Sequence, residues 1–274
     1  MTVDAHPTPA ELRDAAVAIA VEAGRFARQG RTEGIAATTT KSTLTDLVTE
    51  WDRATEALIV ERLAARFPGD GIVGEEGAGR ASDTGRWWWI DPIDGTTNFV
   101  YDLPGWAVSI AVGDAERALA GVVYVPSVDE VFAAAAGGGA TLDGRPIAPS
   151  GGDDISTALV ATGFAYDRER RRTQGRRLGA LLGEVRDIRR FGAAAVDLCH
   201  VAAGRVDVYF EEGLGPWDVA AGALIATEAG CLVTDFSGAP WTVGPTGVPQ
   251  VLASTPLLQP AMVGLLSGTE RPAR

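Results

Sequence analysis

Asp91 and Asp94 stand three residues apart in the run Trp89-Ile90-Asp91-Pro92-Ile93-Asp94-Gly95-Thr96-Thr97-Asn98-Phe99. Pro92 fixes φ and Gly95 tolerates φ > 0, so an apolar strand can turn sharply at this point. In a straight strand, residues of odd separation face opposite sides. A turn into a helix start instead lets both carboxylates and the Ile93 carbonyl converge. Convergence of oxygens alone suits a hard cation such as Mg²⁺. The same Asp-Gly-Thr is also ordinary chemistry for an Asx turn, or for the cap of a helix starting at Thr96.

Two further runs add acids. Val73-Gly74-Glu75-Glu76-Gly77 reads as a strand end delivering acids to a loop, and Pro216-Trp217-Asp218-Val219-Ala220-Ala221-Gly222 places an acid at the mouth of an Ala-rich helix. Alone, Glu75 reads as a solvated loop acid and Asp218 as a helix cap. Together, Glu75, Asp91, Asp94 and Asp218 form a set with no His or Cys, which reads as an octahedral oxygen site and argues against zinc. The only histidines are His6, near the start, and His200, inside an Ala/Val-rich helical pattern. A bound divalent ion is therefore the expected source of the nucleophile.

These runs resemble the inositol monophosphatase family of Mg²⁺-dependent, lithium-sensitive phosphatases. The resemblance covers roughly residues 10–265 and includes Lys41-Ser42, Asp46-Leu47-Val48-Thr49, Asp52, and the stretch from Arg189 through Gly192-Ala193-Ala194-Ala195 to Ala203-Gly204. It implies a first Mg²⁺ held by Glu75, Asp91 and the Ile93 carbonyl, a second held by Asp91, Asp94 and Asp218, and a weaker third ion near Glu75. By the same resemblance, Asp52 and Thr96 orient and help deprotonate the attacking water, and hydrolysis is direct, without a phosphoenzyme.

Phosphate is expected on the amides of Gly95 and Thr96, where a helix start favours anions, and the same geometry is expected at Gly192-Ala193-Ala194. The resemblance places Asp94, Asp218, Gly192, Ala193, Ala194 and Glu211 against the substrate, with Arg189 contributing and Arg190 as its alternative. Lys41 is the only lysine, lies in a family motif, and is expected to orient Glu75. The expected reaction is hydrolysis of inositol 1-phosphate. Histidinol phosphate is the next substrate considered, ahead of fructose bisphosphate and 3′-phosphoadenosine phosphate. Some bacterial members of the family associate with transcription machinery, so a regulatory protein-binding role is the reading from another class.

The elements that must position these residues follow from patterning. The chain has 274 residues, 46% hydrophobic and 22% charged, an ordinary globular composition. Helices are expected near 9–29 and 48–66, followed by strands near 71–74, 86–91, 106–113, 118–125 and 130–135, giving an α+β portion over 1–148 that carries most metal ligands. The Gly-rich stretch 137–152, with a hairpin at Leu142-Asp143-Gly144-Arg145, leads into a second portion over 149–274 that carries Asp218 and the substrate contacts. Strands near 157–161, 185–188, 206–210 and 231–235 alternate there with helices near 168–183, 193–203 and 217–229, which argues α/β with a mixed sheet. The resemblance implies a layered α-β-α-β-α sugar-phosphatase fold and a homodimer.

The formal net charge of −12 opposes nucleic-acid binding. No signal peptide or apolar span is visible, and Cys199 and Cys231 lack metal spacing, so the chain reads as cytoplasmic, free of the membrane and with free thiols. Trp87-Trp88-Trp89 is expected to alternate between core and an interface, and Met1 to Pro9 to fray. The six arginines between Arg168 and Arg177 read as a solvated helix face or as an anion clamp.

Overall fold

The computed structural model describes residues 6–35, 38–41, 47–114, 116–243 and 248–268. Ser42 and Asp46 of the Lys41 motif lie outside the described residues, as do 1–5. Helix α1 (Pro9–Glu33) opens on a reciprocal cap. Thr8 accepts from the Glu11 amide, and the Glu11 carboxylate accepts from the Thr8 amide at 2.8 Å. This cap fixes Thr8 and Pro9, within the stretch expected to fray. Helix α2 (Glu50–Arg66) opens the same way on Thr49 and Asp52, so the acid the resemblance marks for catalysis also caps its own helix.

A short ribbon, β1 (Thr38–Thr40) with β2 (Leu47–Thr49), precedes α2. The large sheet comprises β3 (Gly71–Gly74), β4 (Gly79–Arg80), β5 (Trp87–Asp94), β6 (Ala107–Gly113), β7 (Ala118–Val125), β8 (Glu130–Ala135), β9 (Ala140–Leu142) and β10 (Arg145–Pro146). Its order is β10-β9-β8-β7-β6-β5-β3-β4, antiparallel except where β3 runs parallel to β5. The expected hairpin is β9–β10, with Arg145 opposite Leu142.

The small sheet, β12-β11-β13-β15-β14, joins β11 (Leu159–Thr162), β12 (Asp187–Arg189), β13 (Val208–Leu214), β14 (Leu232–Thr234) and β15 (Val248–Ser254). It is parallel on one side of β13 and antiparallel on the other, the mixed sheet expected. The remaining helices are α3 (Thr96–Val100), α4 (Arg168–Leu181), α5 (Ala194–Ala202), α6 (Pro216–Ala229) and α7 (Gln259–Gly268).

Five layers result. On one face of the large sheet, Leu12, Ile19, Ile59 and Leu63 of α1 and α2 pack on Trp88, Ile90, Ile110 and Val122. On its other face, α5 and α6 fill the space to the small sheet, joining Trp89, Ala111 and Val123 to Tyr209, Val251 and Ala253. Beyond the small sheet, Leu181 of α4 and Met262 and Leu266 of α7 close against Val160, Val208 and Leu252. Each buried Leu, Ile, Val or Met among these contributes about 1.5–3 kcal/mol relative to exposure. The tryptophan run alternates between two cores: Trp88 faces α1 and α2 and donates to Asp70 at 2.9 Å, while Trp89 lies between the sheets.

Candidate active site

The strand carrying Asp91 does not stop at it. β5 runs on to Asp94, with Asp91 opposite Ser109 and Asp94 opposite Ala107, so one extra residue is inserted between them. That bulge supplies the half-turn a straight strand lacks, and residues of odd separation come to one side. The Ile93 amide closes the bulge by donating to Asp91 Oδ1 at 3.0 Å. Gly95 follows at φ +87°, where a Cβ would meet the Gly192 carbonyl at 3.0 Å and the Ala193 methyl at 3.1 Å. Both the backbone angle and the space therefore demand glycine.

Glu75 leaves the end of β3 beside this bulge, its amide donating to the Ile90 carbonyl at 3.1 Å. Asp218 arrives from the first turn of α6, where it caps the Gly215 amide at 2.6 Å. Ser109 ties α6 to the large sheet by donating to the Trp217 carbonyl at 3.0 Å. Oxygens of Glu75, Asp91 and Asp218 lie within 4.8 Å of one another. Asp94 stands outside that triplet and accepts from the Ala194 and Ala195 amides at 3.2 and 2.7 Å. The expected second phosphate cradle at Gly192-Ala193-Ala194 therefore has its Ala194 amide taken by Asp94.

These carboxyls repel one another in little water. Burial, with Glu75, Asp94 and Asp218 beside it, pushes the Asp91 carboxyl well above the usual range. Burial and Asp218 do the same to Asp94 despite the Ala195 amide. Burial and Glu75 raise Asp218 despite the Gly215 amide. A cluster of buried acids that cannot all ionise, offering oxygens only, fits a hard divalent cation.

Around the acids lies a set of orienting contacts. Thr96 Oγ1 is 3.1 Å from both Asp52 Oδ1 and the Ile93 carbonyl, and the other Asp52 oxygen accepts from the Thr49 amide and hydroxyl at 2.7 and 2.6 Å. Burial raises the Asp52 carboxyl in spite of these donors. Lys41 bridges Glu75, at 2.8 Å, and Glu76. Burial opposes its charge, but the two glutamates outweigh burial and raise its pKa.

Glu56, which sequence patterning passed over as one more helical acid, is buried and grips the acidic loop. Its two oxygens accept from the Glu76 and Ala78 amides, each at 2.9 Å. The only cue in sequence was a glutamate on the inward stripe of α2, four residues after Asp52.

The acids open into a cavity of roughly 290 Å³, also lined by Ile93, Gly95, Thr96, Tyr166, Arg170, Arg190 and Glu211. Ala193 is not among the lining residues; its methyl packs beneath Gly95. Arg189 turns out to solvent, pairing with Asp187 at 2.6 Å, because β12 ends there at the sheet edge. Arg190, one residue on, lines the cavity, and this corrects the choice of Arg189. Glu211 accepts from the Tyr209 hydroxyl at 2.8 Å, and burial pushes its carboxyl up to about 7.

Asp197 was also missed. It is buried beneath the site, its two oxygens have no hydrogen-bond partner among the described residues, and it feels Glu211, Asp94 and Arg190. An acid within the apolar pattern of α5 was the available signal.

The profile of the Inositol monophosphatase family matches residues 8–267. An inositol-1-monophosphatase of Mycobacterium bovis is 46% identical over 243 residues, covering 82% of this chain and 84% of that protein. The Nus factor SuhB of Escherichia coli K12 is 45% identical over 195 residues, 70% of this chain and 73% of that one. The solved structure of Mycobacterium tuberculosis SuhB superposes with a TM-score of 0.82 at 39% identity, covering 97% of this chain and 99% of that one. The layered fold, the acidic triplet and these likenesses agree: the chain belongs to the inositol monophosphatase family, whose members depend on a metal, and is a phosphatase.

Proposed function

We propose that the protein hydrolyses phosphate monoesters with Mg²⁺, inositol 1-phosphate foremost, giving the free alcohol and phosphate. The observation that carries this is the convergence of Glu75, Asp91 and Asp218 oxygens within 4.8 Å, next to Asp94. Glu75, Asp91 and the Ile93 carbonyl would hold one Mg²⁺, Asp91, Asp94 and Asp218 a second, and Glu75 with water a third. When bound, Mg²⁺ supplies charge neutralisation of the phosphate and lowers the pKa of a water it binds.

The chain's own residues do the rest. Asp52 accepts a proton through Thr96 Oγ1, whose hydroxyl can receive one from the attacking water as it donates its own to Asp52 Oδ1. The Thr49 cap keeps the Asp52 carboxyl facing Thr96. Lys41 pairs with both Glu75 and Glu76, offsetting their mutual repulsion and fixing the Glu75 carboxylate. The Gly95 and Thr96 amides receive phosphate oxygens. Because α3 has five residues, this cradle works through its unpaired N–H groups rather than through a long helix dipole. Glu211 accepts from hydroxyls of the polyol and Arg190 lies beside it, which favours a sugar-like alcohol over an apolar one.

The test is phosphate release, with and without Mg²⁺, from inositol 1-phosphate, histidinol phosphate, fructose bisphosphate and adenosine 3′,5′-bisphosphate. Mg²⁺-dependent preference for inositol 1-phosphate supports the reading. Preference for another ester keeps the mechanism and changes the substrate, and silence across the panel overturns both. A second reading, a protein-binding role in transcription, is favoured by the likeness to a Nus factor. A partner retained by Asp91→Asn supports it. A homodimer and a cytoplasmic location belong to this proposal. Among the described residues no helix is long and apolar enough to cross a membrane.

A further inference from the structure

Helix α4 turns its arginine run outward. Only Arg177 of that run is buried, and the inward stripe of the helix is Gln174, Arg177 and Leu181, at helical spacing. Arg177 is accounted for by its pair with Glu212 at 3.0 Å and by the Phe236 ring it covers, and Leu181 joins the outer core. Gln174, 4% exposed, is the stripe's one uncharged polar side chain. Burying an amide is costly unless both of its ends are hydrogen-bonded.

One end is. Gln174 Oε1 accepts from the Ala165 amide at 3.0 Å, and because that partner is a donor, the side-chain amide can face it only with its oxygen. The other end, Nε2, is buried and has no partner among the described residues. Gln174 borders a small cavity of about 10 Å³, shared with Thr162, Gly163, Glu211 and Glu212, which is about the least space that holds one water molecule. Glu212 is already taken by Arg177. Glu211 borders this small cavity and the catalytic cavity at once, whereas Gln174 does not reach the catalytic cavity. The Glu211 carboxylate lies against Gly163, where a Cβ would stand 1.8 Å from Oε2, and its recorded hydrogen bond is the one from Tyr209.

We infer that Gln174 is a positioning residue for the alcohol end of the site, acting on Glu211 through one buried water. The water accepts from Gln174 Nε2 and donates to the Glu211 carboxylate. It thereby fixes the direction of that carboxylate from behind and leaves its remaining lone pairs to the hydroxyls of the polyol. The Ala165 amide keeps Nε2 turned toward the water. The inference rests on the reading of Glu211 as the acceptor of substrate hydroxyls, and it adds a residue that never touches the substrate.

Two measurements test it. A high-resolution crystal structure of the wild type is expected to show one ordered water within hydrogen-bond distance of both Gln174 Nε2 and a Glu211 oxygen. A dry cavity, or a water that reaches only one of the two, overturns the bridge. The second is a double-mutant cycle in steady-state kinetics with Gln174→Met, Glu211→Gln and both together, on the ester that the wild type hydrolyses best. Gln174→Met is expected to raise KM by about five- to tenfold, the scale of one net hydrogen bond, with kcat little changed. In the Glu211→Gln background the same change is expected to move KM by no more than about twofold. An equal rise in both backgrounds, or a loss confined to kcat, is what a merely structural role gives and overturns the inference. Failure of the substrate reading shows in the wild-type ester panel instead, so the two failures are distinguishable.

Discussion

The two ends of the catalytic cavity are built differently. At the acidic pole, Asp91, Asp94 and Asp218 are each pinned by backbone amides from a bulge or a helix start, and Glu75 leaves a strand whose neighbouring loop is gripped by Glu56. At the mouth, Arg170 and Tyr166 come from α4 and the loop before it, Arg190 comes from the segment between β12 and α5, and Glu211 stands half-buried on β13. The first end is preorganised for one chemistry. The second draws its side chains from α4, from the loop before it, from the segment after β12 and from β13, with Glu211 held by the Tyr209 hydroxyl.

If the acidic pole is the engine, damage there must exceed damage at the mouth. Asp91→Asn should reduce phosphate release by more than about 100-fold, the upper end of what losing a mere orienting partner costs, while Glu76→Gln costs far less. Equal losses in steady-state assays would remove Asp91 from its bridging place. Glu56→Gln should weaken Mg²⁺ affinity by about 10–100-fold, because one oxygen that grips the loop becomes a donor facing an amide. That loss should appear in metal titrations more than in kcat at saturating Mg²⁺, and unaltered affinity would show the loop holding itself.

Arg190→Gln should raise KM by about tenfold, whereas Arg189→Gln, paired with Asp187 in solvent, should stay within twofold. The reverse order would restore Arg189 to the site.

The smallest expected effect is on stability against pH. Without a divalent ion, the raised carboxyls of Asp91, Asp94 and Asp218 keep protons in the folded state that the unfolded chain has released. Glu211, pushed up to about 7 from 4.5, has the same sign. The folded state then binds more protons, so stability falls as pH rises. His200, lowered by burial to about 4 from 6.5, acts oppositely below its unfolded value, so the comparison belongs above pH 6.5. Metal-free protein should melt several degrees lower at pH 8 than at pH 6.5, at about 2–4 °C per kcal/mol, and Mg²⁺ should flatten the difference. A melting temperature that rises over this range contradicts the clustering.

The same contrast governs what could be read before the structure. The acidic pole was legible because Asp-Pro-x-Asp-Gly, Gly-Glu-Glu and Trp-Asp are local signals at element ends. Even there, the bulge of β5 was read as a turn, since a one-residue insertion leaves no mark in hydrophobic alternation. Strand β15 and helix α7 were missed for related reasons. The β13–β15 register skips Gly213 and Pro249, so a proline that reads as a breaker falls where the ladder has no pair. Helix α7 is short and holds a glycine, Gly264, that blurs its period.

Arg189 and Arg190 could not be separated from sequence, because which of them faces inward depends on where β12 ends. Glu56 and Asp197 act through long-range contacts with a loop and a cavity that no spacing announces.

The most direct test of the account is the number of Mg²⁺ ions bound by the full-length chain in the presence of inorganic phosphate, measured by calorimetry. Two to three ions, falling in Asp91→Asn, is the result that a bridging Asp91 between Glu75 and Asp218 requires. A wild-type chain that binds none, or binds the same number with Asn at position 91, would contradict it.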